Sequence, residues 1–403
     1  MIGTLAIFIG YLLGSVNPAF FFGKILKGID IRQHGTKNAG TTNVKKVLGI
    51  GPAVVTAVFD ISKGLLAIWI ASSLGLPLIL VYFCGFAAIA GHIFPFYLGF
   101  RGGQGTATAV GLLFFFAIKL GLLGAINWPA FLPGLITIAI LVLSILFIMR
   151  DERALGIFAL PPFIFFLLTN TRPVLELYFL TAILLFITGV NILVIFQQKV
   201  FASLKIPEGK TEALLNWRTF ARPLAVIFIV FIYLLPKPTV LYITGGLALV
   251  VILLDLIRLI SSRANIALFG WRGFLKQKEK RSFSSMTFFL TAVFLLFLLF
   301  PKEIASISIL FVIFGDLAAK FFGIFYSKIN FWNKSVEGSL SYFIFSLLAA
   351  TIFIQIVPFP YFLVILGAAT ATLVDIFSPF GIDDNFTVGL ISAGAMLAIR
   401  TLI

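Results

Sequence analysis

Long apolar stretches alternate along the chain with short polar segments. A helix that crosses a bilayer needs about 20 mainly apolar residues. Because backbone polar groups inside lipid must be satisfied internally, such stretches predict helices. Fourteen stretches qualify as candidate spans: 2–23, 50–72, 78–98, 106–124, 131–149, 154–169, 175–197, 222–236, 239–260, 284–300, 303–325, 338–357, 360–377 and 387–403. The pattern predicts an all-α polytopic integral membrane protein with about 14 transmembrane helices.

Composition supports the membrane prediction. Of the 403 residues, 61% are hydrophobic and 11% are charged, whereas a soluble domain has roughly 45–50% apolar and 25% charged residues. The first stretch has no basic segment before it and no small-residue cleavage site. We therefore interpret it as a retained helix and not as a signal peptide.

The net charge of +15 is distributed unevenly along the chain. If the N-terminus faces outside and the loops alternate, 24 of the 30 Lys and Arg residues lie in inner segments and four in outer ones. This asymmetry follows the positive-inside rule and predicts the orientation. The charge therefore indicates topology and attraction to anionic membrane lipids, and we expect no nucleic acid partner. We predict a cell inner membrane protein whose active sites face the cytoplasm.

The most polar long segment without a span covers 197–222 and separates seven candidate spans from seven others. We predict two fused seven-span halves, with a membrane domain at 1–200, a cytoplasmic linker at 201–216 and a second membrane domain at 217–403. No repeat relates the halves, so the sequence does not favour an inverted-repeat transporter. Polar clusters outside the spans fall on the predicted cytoplasmic side, at 30–46, 91–106, 258–281, 327–339 and 378–387.

The first of these clusters, DIRQHGTKNAGTTNV at 30–44, is rich in hydroxyl and amide side chains. Hydroxyls, amides and glycine-exposed N–H groups bind phosphate, and neighbouring cations strengthen the binding. Asn38, Thr41 and Asn43 are the candidate phosphate ligands here, and an ordinary polar loop is the alternative. Lys63 is a further candidate, because charges inside a span are rare and usually functional. It follows Asp60 at a spacing that also allows a structural ion pair.

A glycine-rich segment, GHIFPFYLGFRGGQGTATAVG at 91–111, separates two apolar stretches. Glycine lets the backbone approach a ligand closely, and a helix N-terminus beside such a loop attracts anions. The segment therefore predicts a phosphate-binding loop, with a glycine-rich helix break as the alternative. The candidate ligands are His92, Arg101, Gly102, Gly103, Gly105 and Thr106.

These segments, together with GSVNP (14–18) and DISKG (60–64), resemble the bacterial membrane glycerol-3-phosphate acyltransferases that use acyl-phosphate as donor. The resemblance covers about 1–200. It implies seven spans and transfer of an acyl group from acyl-phosphate to glycerol-3-phosphate, which gives lysophosphatidate without a cofactor. It also implies catalytic roles for Thr36, which stands at a family serine, and for Asn191 in the seventh span.

Besides Thr36, three positions depart from the pattern of that family. Gln104 stands where the glycine loop of the family has a lysine, which removes a cation that pairs with phosphate. Thr188 stands at the position of a family histidine, three residues before Asn191, and Lys37 replaces a glycine. A degenerate first half that serves as a scaffold is therefore an alternative to an active acyltransferase.

Acidic residues in the second half lie in spans or at predicted cytoplasmic span ends. Carboxylates there are costly unless they bind a cation or a base, and Mg²⁺ favours one or two carboxylates together with phosphate oxygens. Asp316, Glu337, Asp383 and Asp384 are the candidate metal ligands. Lys334 is placed to neutralise charge on a transferred phosphoryl group. Helix-capping acids in short loops are the alternative reading.

The second half, about 217–403, resembles the CTP-dependent lipid kinases (dolichol, phytol and diacylglycerol kinases) and their phosphatidate cytidylyltransferase relatives. The matching stretches are DLIRL (255–259), FGDLAAKFFG (314–323), NKSVEGS (333–339) and ATLVDIFSPFGIDDNFTV (371–388). The resemblance implies phosphorylation of a lipid alcohol by CTP with Mg²⁺. Catalytic roles are implied for Asp316, Lys334, Glu337 and Asp384, and substrate binding for Ser335, Gly338, Ser339 and Asn385.

The leading hypothesis is thus a fused enzyme of membrane lipid synthesis. One alternative keeps only the kinase half active. The other is a transporter of anionic lipid, which predicts charged or broken-helix sites near the middle of the membrane in both halves.

Overall fold

The computed structural model describes residues 2–149, 158–197, 222–261, 279, 281–332, 334–377 and 383–403. The predicted linker at 201–216 lies outside the described residues. The helices before the linker are α1 (Ile2–Ser15), α2 (Pro18–Lys27), α3 (Thr41–Leu48), α4 (Ile50–Ser73), α5 (Leu78–Ile93), α6 (Thr106–Leu122), α7 (Trp128–Met149), α8 (Leu160–Asn170) and α9 (Leu175–Gln197). Those after it are α10 (Val226–Leu234), α11 (Lys237–Ile260), α12 (Ser285–Leu299), α13 (Lys302–Leu310), α14 (Asp316–Tyr326), α15 (Val336–Ile354), α16 (Tyr361–Phe377) and α17 (Asp384–Leu402).

Within the described residues, nine helical segments are long and apolar enough to cross a membrane. Five shorter apolar helices of 10–17 residues occupy other predicted stretches: Thr106–Leu122, Leu160–Asn170, Pro223–Leu234, Ser285–Leu299 and Tyr361–Phe377. The all-α membrane architecture is confirmed at this level. The count of 14 spans stays a prediction.

The first predicted span is two helices and not one. Pro18 cannot continue α1 because it lacks an N–H and its ring restricts the residue before it. Instead Pro18 starts α2, and the Asn17 side chain caps that helix by accepting a hydrogen bond of 3.0 Å from the N–H of Phe20. The break turns the chain toward the loop at 30–46.

Small residues let α1 and α5 pack closely in the first compact unit, which comprises Met1–Phe131 and Arg153–Phe201. A Cβ atom at Gly14 or Gly91 would collide with backbone of the opposite helix, at Ala88 and Tyr11 respectively. Such close approach of backbones at glycines allows helix association without a hydrophobic driving force. The packing fixes the end of α5, which carries His92.

The second compact unit comprises Leu132–Glu152 and Ala202–Ile403. It therefore includes most of α7, which the predicted domain at 1–200 assigns to the first half. Within this unit the Thr137 hydroxyl lies 3.0 Å from the Thr351 hydroxyl and 2.8 Å from the Tyr361 hydroxyl. Hydrogen bonds between helices in an apolar surrounding hold their partners in register. α7 therefore precedes the linker in the chain but packs mainly with the helices that follow it.

A π-helical segment, Phe311–Gly315, joins α13 to α14. A Cβ at Gly315 would lie 2.5 Å from the Ser346 hydroxyl oxygen and from the Tyr342 ring, so glycine permits close contact with α15. After α14 a short hairpin pairs β1 (Asn330–Phe331) with β2 (Lys334–Ser335) in antiparallel register. The hydrophobic pattern does not predict these two-residue strands, because they are too short to show a period of two.

Candidate functional site

The loop at 30–46 is organised by one buried amide. The Asn43 side chain donates hydrogen bonds of 2.8–3.0 Å to the carbonyls of Ile31, His34 and Asn38, and it accepts one of 2.7 Å from the N–H of Thr36. Its donors are therefore used within the loop. The prediction that Asn43 binds phosphate directly is wrong, and this residue instead shapes the loop.

Arg32 joins this loop to the segment before the glycines. Its guanidinium pairs with Asp30 at 2.7 Å and donates to the carbonyls of Leu98 (2.8 Å) and Arg101 (2.9 Å). The hydrogen bond from Arg32 outweighs partial burial and lowers the pKa of the Asp30 carboxyl below its usual value. The two predicted phosphate-binding segments therefore form one connected surface.

The glycine loop satisfies part of its own backbone. The N–H of Gly102 donates to the Ile93 carbonyl (3.0 Å), and that of Gly103 donates to the His92 carbonyl (3.1 Å). A Cβ at Gly103 would collide with the His92 ring and approach the Ala39 carbonyl oxygen to 2.9 Å. Because these two N–H groups are used, the prediction that they bind an anion is wrong, and glycine at 103 permits close packing.

The first turn of α6 retains the anion-binding geometry. Gly105 precedes the helix with a φ of +78°, a left-handed conformation that favours glycine, and it provides no side-chain cap. The first N–H groups of a helix have no intrahelical partner. Thr106 is exposed at this end, whereas the Thr108 hydroxyl is buried without a hydrogen-bond partner. The part of the predicted anion site that lies at the start of α6 therefore stays a prediction.

Three ionisable side chains form a buried cluster beneath the loop. Lys63 Nζ lies 2.8 Å from Asp60 Oδ1 and also contacts His92 Nδ1, which lies 3.3 Å from the same carboxylate oxygen. Their side chains are at most 3% exposed. Both side chains are enclosed by protein here, so phosphate binding by Lys63 and His92 stays a prediction that would require the cluster to open. Sequence reasoning noted Asp60 as a partner but did not place it under the loop.

The remaining predicted residues of the first half differ in accessibility. Thr36 and Arg101 are exposed and Asn38 is half-buried, while the Thr41 hydroxyl is buried without a hydrogen-bond partner. Asn191 is half-buried on α9, and within the described part of the chain it forms no hydrogen bond with either loop. The Thr188 hydroxyl donates to the Leu184 carbonyl of its own helix at 2.8 Å. It therefore does not replace a histidine directed at substrate.

A second cluster lies in the other compact unit, around Lys334. Its Nζ lies 2.9 Å from Asp375 Oδ1 and 3.4 Å from Asp384 Oδ2. Burial acts to lower the pKa of Lys334, but the neighbouring Asp375 and then Asp384 outweigh it, and the pKa is raised. Lys334 is therefore a stable cation. Asp375 belongs to the acidic residues of the second half that the sequence places in spans or at span ends, although many relatives in the kinase pattern have Glu at this position. Its contact with Lys334 links two motifs that are distant in the chain.

A cleft of about 440 Å³ opens beside this cluster. Its walls include Lys320, Lys334, Ser335, Gly338 and Asp375. Ser335 also caps α15 by accepting a hydrogen bond of 3.1 Å from the Gly338 N–H. The cleft is therefore formed by residues of three stretches that the sequence singled out, and it presents cations beside a buried carboxylate.

The four predicted metal ligands have separate partners. Asp316 pairs with Lys320 (2.6 Å), Glu337 accepts a hydrogen bond from the Ile329 N–H (3.3 Å), and Asp383 caps α17. Asn385 donates to Asp383, and Ser339 is buried on α15. Among the described residues, no three His, Cys, Asp or Glu side chains gather into a group that could hold a metal ion. The prediction of one site formed by all four acids is therefore wrong.

Comparison with known proteins supports the interpretation of the first part of the chain. Residues 4–200 match the glycerol-3-phosphate acyltransferase family. The chain is 45% identical over 114 residues to the glycerol-3-phosphate acyltransferase of Synechococcus sp. (strain CC9902), which covers 28% of this chain and 57% of the relative. It is 43% identical over 124 residues to the Halalkalibacterium halodurans enzyme of the same name, covering 28% of this chain and 55% of that protein.

The chain thus spans little more than half the length of these curated relatives. A crystal structure of PlsY, an integral membrane glycerol 3-phosphate acyltransferase, in its glycerol 3-phosphate form aligns with 53% of this chain and all of that one. The sequence identity is 28% and the TM-score is 0.39. For residues 217–403, the resemblance to CTP-dependent kinases stays a prediction.

Proposed function

We propose that the first unit transfers an acyl group from acyl-phosphate to glycerol-3-phosphate and produces lysophosphatidate. The match of residues 4–200 to the acyltransferase family carries this proposal. The geometry supports it, because Arg32 and the contact of Gly103 with Ala39 join the two polar loops into one surface. That surface presents exposed Thr36 and Arg101.

In the proposed reaction, the hydroxyl of glycerol-3-phosphate attacks the acyl carbonyl carbon. The bond from that carbon to the phosphate oxygen breaks, and the hydroxyl proton ends on the departing phosphate. Because phosphate leaves readily from such an anhydride, no covalent intermediate with the protein is needed. The chain contributes by holding two anionic substrates and by stabilising charge on the carbonyl oxygen. Thr36, Lys37, Arg101 and the first turn of α6 supply the donors.

The test uses the purified full chain in lipid with labelled acyl-phosphate and glycerol-3-phosphate. We expect labelled lysophosphatidate. Thr36→Val should lower the rate at least about 100-fold, as loss of a positioned donor does, and Thr36→Ser should retain it. Thr42→Val is the matched control, since Thr42 is an exposed hydroxyl on α3. No product from the unmodified chain, with binding of glycerol-3-phosphate intact, would favour the scaffold alternative.

We infer that the second unit phosphorylates a lipid alcohol with CTP. This proposal rests on the sequence resemblance together with the cleft at Lys334, where residues from the resembling stretches converge. Lys320 and Lys334 line the cleft and would bind nucleotide phosphates. The lipid hydroxyl would attack the terminal phosphorus of CTP, the bond from that phosphorus to the bridging oxygen would break, CDP would leave, and the hydroxyl proton would be released to water.

We propose that Asp384, one of the predicted ligands, and Asp375 hold a magnesium ion beside the cleft. Mg²⁺ needs only one or two protein carboxylates beside phosphate oxygens, and Asp375 and Asp384 are two carboxylates that face the same ammonium group. When bound, the ion would neutralise charge on the phosphates. Lys334 would keep its proton and hold the nucleotide in place.

The second test incubates the full chain with labelled CTP and a series of lipid alcohols, with and without Mg²⁺. We expect a labelled lipid phosphate that depends on the metal. Transfer that persists after chelation of divalent metal would contradict the magnesium proposal. The absence of transfer to every alcohol would contradict the kinase proposal.

The transporter alternative has less support in the described residues. A transporter should have buried charges away from the loops. In the first unit, however, His92 of the cluster with Asp60 and Lys63 packs against Gly103 of the glycine loop. In the second unit, Lys334 lies in the hairpin and Asp384 begins α17. The cluster of the second unit therefore lies at helix ends, whereas Asp60 and Lys63 lie within α4 (Ile50–Ser73). The transporter alternative calls for such intramembrane charges in both halves, and the cluster at Lys334 does not supply them in the second unit.

A further inference from the structure

A polar cleft also lies in the first unit, at the end of α6 that is opposite to the glycine loop. Its volume is about 420 Å³, and two short segments, 124–127 and 169–172, form its walls. α6 has 17 residues, which at 1.5 Å per residue places this cleft about 25 Å from Gly105. Under the predicted orientation, it opens at the outer face of the membrane.

Backbone hydrogen bonds hold the two walls together. Ile126 and Thr171 form an antiparallel bridge, the N–H of Asn127 donates to the Asn170 carbonyl (2.8 Å), and the N–H of Arg172 donates to the Ala125 carbonyl (2.9 Å). The cleft is therefore preformed, and a ligand would not need to order these segments on binding.

The lining carries one cation and donors, and none of the lining residues is acidic. The Arg172 side chain is exposed and forms no ion pair within the described part of the chain. Thr171 is 8% exposed and lines the cleft; its hydroxyl oxygen has no hydrogen-bond partner and almost no accessible surface, so it reaches a ligand after a rotation of the side chain. A buried hydroxyl without a partner is costly, so a ligand that accepts its hydrogen bond would be stabilised here. Guanidinium and hydroxyl together favour an oxyanion such as a phosphoryl group.

Exposed apolar side chains adjoin the lining segment 124–127 in the chain. Leu122 is 83% exposed, Leu123 is 54% exposed and Trp128 is 53% exposed. Leucines placed this way contact lipid tails, and tryptophan is typical of the level of the lipid head groups. A site that binds anions and has apolar side chains beside it is suited to a ligand with both a phosphoryl group and acyl chains.

We propose that this cleft binds the phosphoryl head group of an anionic phospholipid. Arg172 would pair with the phosphoryl oxygens, Thr171 would donate its hydroxyl hydrogen, and the acyl chains would lie against Leu122 and Leu123. The site is separate from the surface proposed for acyl transfer, so its test does not depend on that activity.

The test measures quenching of Trp128 fluorescence by brominated lipids in the full chain, after Phe replaces the other four of its five tryptophans. We expect brominated phosphatidylglycerol to bind near Trp128 at least about fivefold more strongly than brominated phosphatidylcholine, the scale of one cation beside an anionic lipid. Arg172→Gln should abolish this preference, and Thr171→Val should weaken it. Lys237→Gln, which removes another exposed cation on the predicted outer side, should preserve it.

Competition identifies the source of the phosphoryl group. Millimolar inorganic phosphate or glycerol-1-phosphate should leave the quenching unchanged. Displacement of the lipid effect by either soluble anion would overturn the lipid assignment, as would equal quenching by the two lipids. A preference that survives Arg172→Gln would overturn the site, because the binding would then arise elsewhere on the basic surface.

Discussion

In the first unit the side chains of Asp60, Lys63 and His92 are at most 3% exposed, whereas in the second unit the side chain of Lys334 is 31% exposed and lines a cleft. Both clusters were found from the same sequence signal, a charged residue in or beside an apolar stretch. The first holds a loop in place and is shielded by protein. The second can contact a substrate without rearrangement. A charged residue in or beside an apolar stretch therefore marks a candidate functional region. Its burial decides whether it holds neighbouring segments in place or contacts a ligand directly.

The largest effect should follow from breaking the buried cluster. Lys63→Met leaves the Asp60 carboxylate without its ammonium partner, and removal of one partner of a buried pair costs about 3–5 kcal/mol. We expect the first unit to unfold at a markedly lower temperature in detergent, measured by thermal scanning of the purified chain.

The control for this experiment is the double variant Asp60→Asn/Lys63→Met, which removes both charges and should recover much of the lost stability. If Lys63→Met keeps normal stability and loses only affinity for glycerol-3-phosphate, Lys63 binds substrate after all, and the contrast between the two clusters fails.

The next largest effect concerns the open cluster. Lys334→Gln should lower CTP-dependent phosphorylation at least about 100-fold, the scale expected when a group that stabilises charge is lost from an active site. Lys328→Gln is the matched control, because Lys328 is an exposed cation just before the same hairpin and does not line the cleft. Equal losses in the two variants would indicate a general effect of charge and not a site at Lys334.

Much of this architecture could be predicted from the sequence. The apolar pattern located the helices because burial in lipid imposes a long uniform stretch. The resemblance assigned the glycine loop and the loop at 30–46 to one family pattern, and the structure connects them through Arg32. Their role as a substrate site stays a prediction. The positions of Thr36 and Arg101 on the exposed surface agree with that interpretation.

Side-chain partners could not be predicted in the same way. Asn43 looks like a phosphate ligand in sequence, but its amide forms four hydrogen bonds within its own loop. Asp375 and Lys334 are 41 residues apart, and their contact depends on how α15 and α16 pack. The membership of α7 in the second unit likewise depends on tertiary contacts, which local hydrophobicity does not encode.

A smaller effect should follow from a Cβ in the glycine loop. Gly103→Val would collide with the His92 ring and the Ala39 carbonyl, so the loop must shift. We expect affinity for glycerol-3-phosphate to fall at least about tenfold, roughly 1.4 kcal/mol, in an equilibrium binding assay. Gly51→Ala is the control, because no atom lies within 4 Å of its added Cβ. Unchanged affinity in the Gly103 variant would leave the loop a simple helix break.

Gln104→Lys should act in the opposite direction. It places a cation beside the first turn of α6, where the acyltransferase pattern has one. We expect acyl transfer to rise up to about fivefold, the scale of roughly 1 kcal/mol for a partly exposed ion pair. The comparison is with Gln104→Met, which has similar length and no charge. If the rate of acyl transfer does not rise in Gln104→Lys, then Thr188, at the position of the family histidine, limits the activity more than Gln104 does.

The smallest effect concerns Asp30, which anchors the Arg32 connection between the loops. Its pKa is lowered in the folded chain, chiefly by the hydrogen bond from Arg32, so the ionised form stabilises the fold. That stabilisation is present above the unfolded pKa and is lost as the pH falls through the lower folded value. Asp30→Asn keeps an oxygen that can cap the Arg32 N–H but removes the charge, so we expect a loss of only about 0.5 kcal/mol at pH 7. The difference in unfolding temperature between wild type and variant should be the same at pH 7 and pH 5, and should shrink only below the usual aspartate range. A difference that is already absent at pH 5 would mean that Arg32 is held by the Leu98 and Arg101 carbonyls alone, and that the connection between the loops does not depend on charge.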